Sequence, residues 1–311
     1  MLKLIQNEWM KLWAKKSSWI ILVLMLLITL FPAFIDQMTD YEDSTYSEAT
    51  WRAELEAQIA ANEQLLKEIP EEKDYYEEQI AIAQYQLDHD LQPNNDQTVE
   101  GYFSYGMSLI SVVSIFAVII GASIVSDEFS TGTIKMLLTR PVSRAKILTS
   151  KLLTVFLYGF TLIAASLALS LIVGMVLYDF SSAPNLVYEA GKVTEQSEFT
   201  YTLYLGLLRM GDFVMTILFG FMVGSVFRSP SLAIGLTFLL TFMGALILGL
   251  LSRYEIAKYI WIAHTDLTQH ETGYTLIDGI TMPFSLTILA IYAVIFTAVS
   301  YVVFMKRDIT A

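Results

Sequence analysis

The chain has 311 residues, a hydrophobic share of 55 %, charged residues at only 16 % and a mean hydropathy of +0.53. Soluble domains carry about a quarter charged residues, so the balance points to a membrane protein, and the absence of cysteine excludes disulfides, thiolate metal sites and cysteine nucleophiles. The net charge of −12 is unevenly spread: residues 36–100 hold eighteen Asp and Glu against Arg52, Lys67 and Lys73, which leaves the remainder at +3.

In chain order, "MLKLIQNEWMKLWAKK" sets Leu2, Ile5, Trp9, Leu12 and Trp13 on one helical face, with Lys3, Lys11 and Lys15 around the rest. Residues 1–17 are therefore expected to form an amphipathic helix lying in the membrane interface. A basic flank that merely orients the first span is the alternative. The first span is 18–35; it ends in "FPAFID" without a small-x-small cleavage site, so it reads as a retained anchor.

Residues 36–100 are expected to hold an external acidic helical hairpin. Trp51, Leu55, Ile59, Asn62, Leu66 and Ile69 recur every three or four positions as a mostly apolar stripe, and Tyr76, Ile80, Ala83 and Leu87 make a second. Pro70 ends one helix and opens the next. A receptor for a cationic ligand, a docking point for another subunit and a merely solvated pair all fit this pattern.

Residues 101–311 are expected to form a five-span body. Its spans are 102–125, 152–178, a fourth ending at Phe227, 231–251 and 284–305, each near the ~20 apolar residues that a bilayer core of about 30 Å demands. Arg209 and Asp212 are placed to pair at i, i+3 near an interface. Gly220 and Gly224 extend a small-xxx-small line from Thr216 that permits close helix contact. In the loop 252–283, "EIAKYIWIA" is too short to span and reads as a re-entrant or interfacial helix. His264 and His270, six apart beside Asp266 and Glu271, lack a helical ligand spacing, so polar loop residues are expected there and no metal site.

Six spans place both termini on one side. Segments 1–17, 127–151, 228–230 and 306–311 hold twelve of the nineteen Lys and Arg, so the termini are expected to be cytoplasmic. No G-x-x-x-x-G-K-[ST], H-E-x-x-H or G-x-S-x-G stretch occurs, so no nucleotide-binding or hydrolytic chemistry is expected of this chain, and it is not expected to be an enzyme. The fold class expected is an all-α integral membrane protein of six transmembrane helices.

Between the second and third spans lies "DEFSTGTIKMLLTRPVSRAKILTSK", residues 127–151. It pairs an acid and an aromatic, Glu128 and Phe129, with Gly132 and Thr133. There follow an apolar-basic run from Ile134 through Lys135, Leu137 and Leu138, the turn Arg140–Pro141, and a basic lead through Arg144 to Lys151. This stretch resembles the cytoplasmic segment of the ABC transporter type-2 permease family, in particular the bacterial bacitracin-resistance and sodium-export permeases. The six spans and the loop before the last resemble that family too; the long acidic segment departs from many of its members.

The resemblance implies a permease subunit of an ATP-driven exporter in the bacterial plasma membrane. It would dimerise, with itself or a second permease, and bind separate ABC ATPase subunits that carry the ATP and Mg. This chain itself would bind no cofactor and no nucleic acid, and membrane lipid would surround it. Segment 127–150 would be the coupling element, with Ile134, Leu137 and Leu138 filling an ATPase groove and Lys135, Arg140 and Arg144 forming its basic rim. A membrane sensor that uses the ATPase for signalling, without transport, is the alternative.

Overall fold

The computed structural model describes residues 1–39, 50–69, 73–93, 98–134, 136, 141–180, 184–189, 191–227, 229–271, 275, 277 and 279–306. Helices dominate: α1 (Leu2–Ala14), α2 (Lys16–Thr39), α3 (Trp51–Glu68), α4 (Lys73–Asp88), α5 (Val99–Ser108), α6 (Ile110–Ser130), α7 (Arg144–Leu177), α8 (Glu198–Val226), α9 (Pro230–Leu251) and α10 (Met282–Lys306). Five stretches among the described residues are long and apolar enough to cross a membrane: 16–38, 99–130, 144–177, 198–226 and 282–306. The protein is thus a helical membrane protein. A two-stranded antiparallel pair, β1 (Asn185–Glu189) and β2 (Lys192–Gln196), adds to the expected all-helical fold. Its turn contains Gly191 at φ 80°, a left-handed conformation that glycine adopts without steric cost.

The chain divides into two compact units. One comprises residues 27–107 and 167–205. In it α3 and α4 pack through Trp51, Leu55 and Ala83, with Ile59 and Leu87 alongside. Tyr85 on α4 donates its hydroxyl to Glu195 on β2 at 3.2 Å. Pro70, Glu71 and Glu72 lie outside the described residues.

The same unit handles a proline in a long apolar helix. Pro32 has no N–H, so the Ile28 carbonyl one turn earlier loses its helical partner. Tyr105 donates its hydroxyl to that carbonyl at 2.8 Å, and Tyr102, three residues before it on the same face of α5, donates to Thr29 O at 2.5 Å.

The other unit comprises residues 1–26, 108–166 and 206–311. Its core joins Ala122 of α6, Met215, Leu218, Phe219 and Val223 of α8, Ala233 of α9, and Leu289 and Phe296 of α10. The helices α6 and α8 come close because Gly220 and Gly224 have no side chain. A Cβ on Gly224 would stand 2.2 Å from the Ala122 carbonyl oxygen, and one on Gly220 3.3 Å from Val118 O. The small-residue line therefore serves packing inside the chain.

The stretch 255–263, expected as one short re-entrant or interfacial helix, lies within a run of three short 3₁₀ turns, 255–259, 261–264 and 267–270. Ala257 and Ala263 join Leu248 of α9 in a second small core, and Trp261 packs against Phe219 and Phe296.

Candidate functional site

The most charged buried place in the described structure lies where α1, the end of α6 and the start of α7 meet. The Lys151 ammonium, 1 % exposed, is 2.7 Å from Glu8 Oε2 and 2.9 Å from Glu128 Oε1. Lys11 Nζ closes the ring, 3.1 Å from Glu128 Oε1 and 3.3 Å from Glu8 Oε1. Two carboxylates therefore meet two ammonium groups, and the cluster is neutral as a whole. Burying charge is tolerated only when it is paired and hydrogen-bonded in this way. Burial works against the charge on Lys11, but Glu8 and Glu128 outweigh it and hold the amine above its ordinary value.

Local sequence explains how Glu128 is presented. It sits in the last turn of α6, which Thr131 closes by donating its N–H to Asp127 O at 2.9 Å. Gly132 follows at φ 72°, the left-handed residue that commonly terminates helices, and donates to Phe129 O at 3.3 Å. The chain thereby folds back far enough for the Thr133 hydroxyl to donate to Glu128 Oε2. The Gly-Thr pair is thus an internal cap that completes the coordination of the buried carboxylate.

From the other side, α1 is held by more than charge. Trp13 stacks edge-on with Trp19 at 5.0 Å and against Tyr158 at 5.4 Å, while the Tyr158 hydroxyl donates to Ser18 O at 2.8 Å. Leu12 and Glu8 are its buried residues. The helix therefore docks through part of the face expected to enter lipid, with Glu8 added to it. Leu2 and Met10 remain exposed.

A cleft of about 580 Å³ opens beside the cluster. Leu12, Ile120 and Ile124 form its apolar wall, and Lys15, Asp127 and Thr131 lie on its polar side. Lys15 and Asp127 are themselves ion-paired.

The remaining coupling residues are distributed as follows. Phe129 meets Phe304 of α10 edge-on at 6.3 Å, and Arg144 donates to the Met305 carbonyl at 3.0 Å, a basic side chain capping a helix end. Ile134 is 4 % exposed, which corrects the expectation that it fills a partner's groove: its side chain is already committed within the protein. Glu128 is likewise spent internally. Met136, by contrast, is 69 % exposed, and Pro141 is exposed. Lys135, Leu137, Leu138 and Arg140 lie outside the described residues.

Two other sequence expectations change. Arg209 and Asp212 make no ion pair among the described residues; Asp212 accepts from Thr216 Oγ1 at 3.2 Å. His264 is not a surface residue but fully buried, and it meets His270 at the hydroxyl of Ser285. The partnership of Glu8 with Lys151 had no signal in the periodicity, since a lone acid in a basic helix looks like ordinary surface.

The residues of the cluster's α6 and α7 arms lie within a stretch, 75–310, that matches the family described as "Protein of unknown function (DUF2705)". The chain belongs to this family. It is also 35 % identical over 314 residues to the uncharacterized protein YhcI of Bacillus subtilis (strain 168), covering 99 % of each chain. An uncharacterized membrane protein of the same strain, YdbK, is 34 % identical over 224 residues, 70 % of this chain and 87 % of its own. Because the YhcI match is nearly end to end, the acidic 36–100 segment has a counterpart there.

Proposed function

We propose that the protein is the transmembrane permease subunit of an ATP-driven ABC exporter in the bacterial plasma membrane. In this reading α9 is the sixth span, both termini are cytoplasmic, and segment 127–150 receives force from a separate ATPase that binds the ATP and Mg. The substrate class that suits such an apolar body is an amphipathic or hydrophobic molecule moved outward, through a dimer of permease subunits. The acidic α3–α4 region then lies outside the cell.

One observation carries the reading. The segment between α6 and α7 is clamped at its start, through Glu128 and Thr133 to α1 and α7, and at its end, through Arg144 to α10. Between the clamps it presents the exposed apolar Met136. An element fixed at both ends can transmit a push at its exposed apolar residue as rigid-body motion of the helices it joins. The resemblance of residues 127–151 to the type-2 permeases adds the identity of the pushing partner.

Affinity purification of the full chain from its native membrane tests this. The expected result is co-purification of a Walker A ATPase and ATP hydrolysis by the complex. A chain that purifies alone, with no hydrolysis, sinks the proposal. The alternative is a sensor that signals without transport. Substrate-stimulated ATP hydrolysis in vesicles distinguishes export from signalling.

A further inference from the structure

Ser285, in the first turn of α10, is fully buried, and two imidazoles share its hydroxyl. His264 Nδ1 is 2.8 Å from Ser285 Oγ, and His270 Nε2 is 2.9 Å from the same oxygen. The other nitrogen of His264, Nε2, is 2.8 Å from the Lys258 carbonyl oxygen.

For a neutral His264, these contacts assign the protons along the chain. A carbonyl oxygen only accepts, so His264 Nε2 must carry its hydrogen. In the neutral ring Nδ1 is then the acceptor and must receive the single hydroxyl proton of Ser285. The Ser285 oxygen, having donated, accepts from His270 Nε2–H. The chain of donors runs one way, from His270 through Ser285 to His264 and on to Lys258 O.

We propose that this chain is a proton-operated latch, which seats residues 255–270 on the start of α10 while His264 is neutral and releases them when His264 takes up a proton. A second proton on His264 would occupy Nδ1 and face an oxygen that already receives a hydrogen from His270. The Ser285 proton would have to turn away, and the new positive charge would lie buried. Burial, reinforced by His270 and opposed by the Lys258 carbonyl, pushes the His264 imidazole below its ordinary value of 6.5.

No carboxylate is among the groups that shift His264. On the turns, Asp266 is engaged by the N–H and hydroxyl of Thr268, and Glu271 follows His270 in the chain; Lys258 approaches with its carbonyl. On α8, the nearby ionisable groups are Arg209 and Asp212, the latter engaged by Thr216. On α9 there is no ionisable side chain at all, and α10 contributes Tyr292, which donates to Tyr259 O at 3.1 Å. Asp278 lies outside the described residues.

The sign follows from linkage. The docked segment favours neutral His264, whereas the released segment titrates near 6.5, so docking is strongest above that value and weakens as pH falls through it toward the lowered docked value. One proton taken up on release changes the released fraction by up to about tenfold per pH unit. The latch does not depend on an ATPase partner.

The cysteine-free chain makes a direct test simple. A thiol introduced as Ala263→Cys, at a position 6 % exposed beside His264, reports release by its labelling rate. Ser252→Cys, at an exposed position, corrects for the reagent's own pH dependence. The corrected rate is expected to be flat from pH 8 to about 6.5 and to climb by up to about tenfold per unit below it, and the climb is expected to vanish with His264→Gln. A flat wild-type profile overturns the latch, and so does a climb that survives His264→Gln. Where His264→Gln fails to fold, nitrogen NMR of the three histidines in the wild-type protein decides. His264 must be the Nε2–H tautomer and must titrate below 6.5; an Nδ1–H tautomer, or titration at or above the ordinary value, overturns the proposal.

Discussion

Lys151 Nζ lies 2.7 Å from Glu8 Oε2 across 143 positions of sequence, and neither side chain retains appreciable contact with solvent. The pair fastens α1 to α7, and Glu128 brings α6 to the same ammonium. Removing one partner of a buried ion pair strands the other, at a cost of about 3–5 kcal/mol. Lys151→Met is therefore expected to lower the thermal midpoint of the detergent-solubilised protein severely. Adding Glu8→Gln leaves Glu128 with Lys11 as a balanced pair and should recover part of the loss. If the double variant is no more stable than Lys151→Met alone, the two residues are not coupled in this way.

That pair also shows what a single sequence does and does not reveal. The long helices α2, α7, α8 and α10 were legible because lipid demands continuous apolar runs, and such runs stand out whatever the tertiary packing. The three-to-four spacing of Trp51, Leu55 and Ile59 likewise announces a helix face. Glu8 was illegible, because its partner is set by three-dimensional contact and not by a period. Ile134 misleads for a related reason: an apolar residue in a charged loop looks available, and only packing shows that it is taken. The strand pair has a readable signal, since Leu186, Val187 and Tyr188 run up to Ala190–Gly191 and Val193 and Thr194 follow.

The tyrosine that serves Pro32 makes a second prediction. Tyr105→Phe removes the donor to the Ile28 carbonyl and should cost about 1 kcal/mol, the usual net value of such a bond. Pro32→Ala restores a backbone N–H able to satisfy that carbonyl. The cost of Tyr105→Phe should therefore shrink in the Pro32→Ala background, measured as a double-variant cycle of unfolding free energies. Equal costs in both backgrounds would show that the hydroxyl serves some other end.

Two glycines should respond unequally, and for different reasons, to the same methyl group. At Gly224 the new Cβ meets the Ala122 backbone, which cannot rotate away, so Gly224→Ala should separate α6 from α8 and cost at least the ~1–3 kcal/mol of ordinary overpacking. At Gly132 nothing lies within reach of a Cβ, and only the left-handed backbone, roughly 1–2 kcal/mol for other residues, opposes it. Circular dichroism melts of the two variants check the order; a larger loss at Gly132 would mean that the close approach of α6 and α8 is wrong.

Lys11 supplies a prediction at alkaline pH. Its docked amine is held above the ordinary 10.5 by Glu8 and Glu128, against the effect of burial. The stabilisation is then complete below 10.5 and is lost as pH rises through the raised value. Tryptophan fluorescence from Trp9 and Trp13 should hold steady between pH 7 and 9 and change only above about 10.5. Lys11→Met should remove that dependence on Lys11, so an unchanged alkaline transition in the variant would refute it.

The proposed coupling role separates two sets of residues that lie within a few positions of each other. Glu128, Thr133 and Ile134 face inward, so substitutions there should lower stability first and affect any partner only through misfolding. Met136 is 69 % exposed, so Met136→Asp should leave the melting temperature within about 1 °C, since exposed substitutions usually change stability by less than ~0.5 kcal/mol. If an ATPase docks on this segment, a charge at the centre of an apolar contact should still weaken its co-purification by tenfold or more, the effect of about 1.4 kcal/mol. Leu137→Asp should do the same if its side chain shares that contact. The decisive comparison is between loss of partner and loss of stability in the same preparations. Variants at 136 and 137 that keep both the fold and the ATPase would move the docking surface elsewhere, while leaving the Glu8–Lys151–Glu128 clamp as a purely structural fastening.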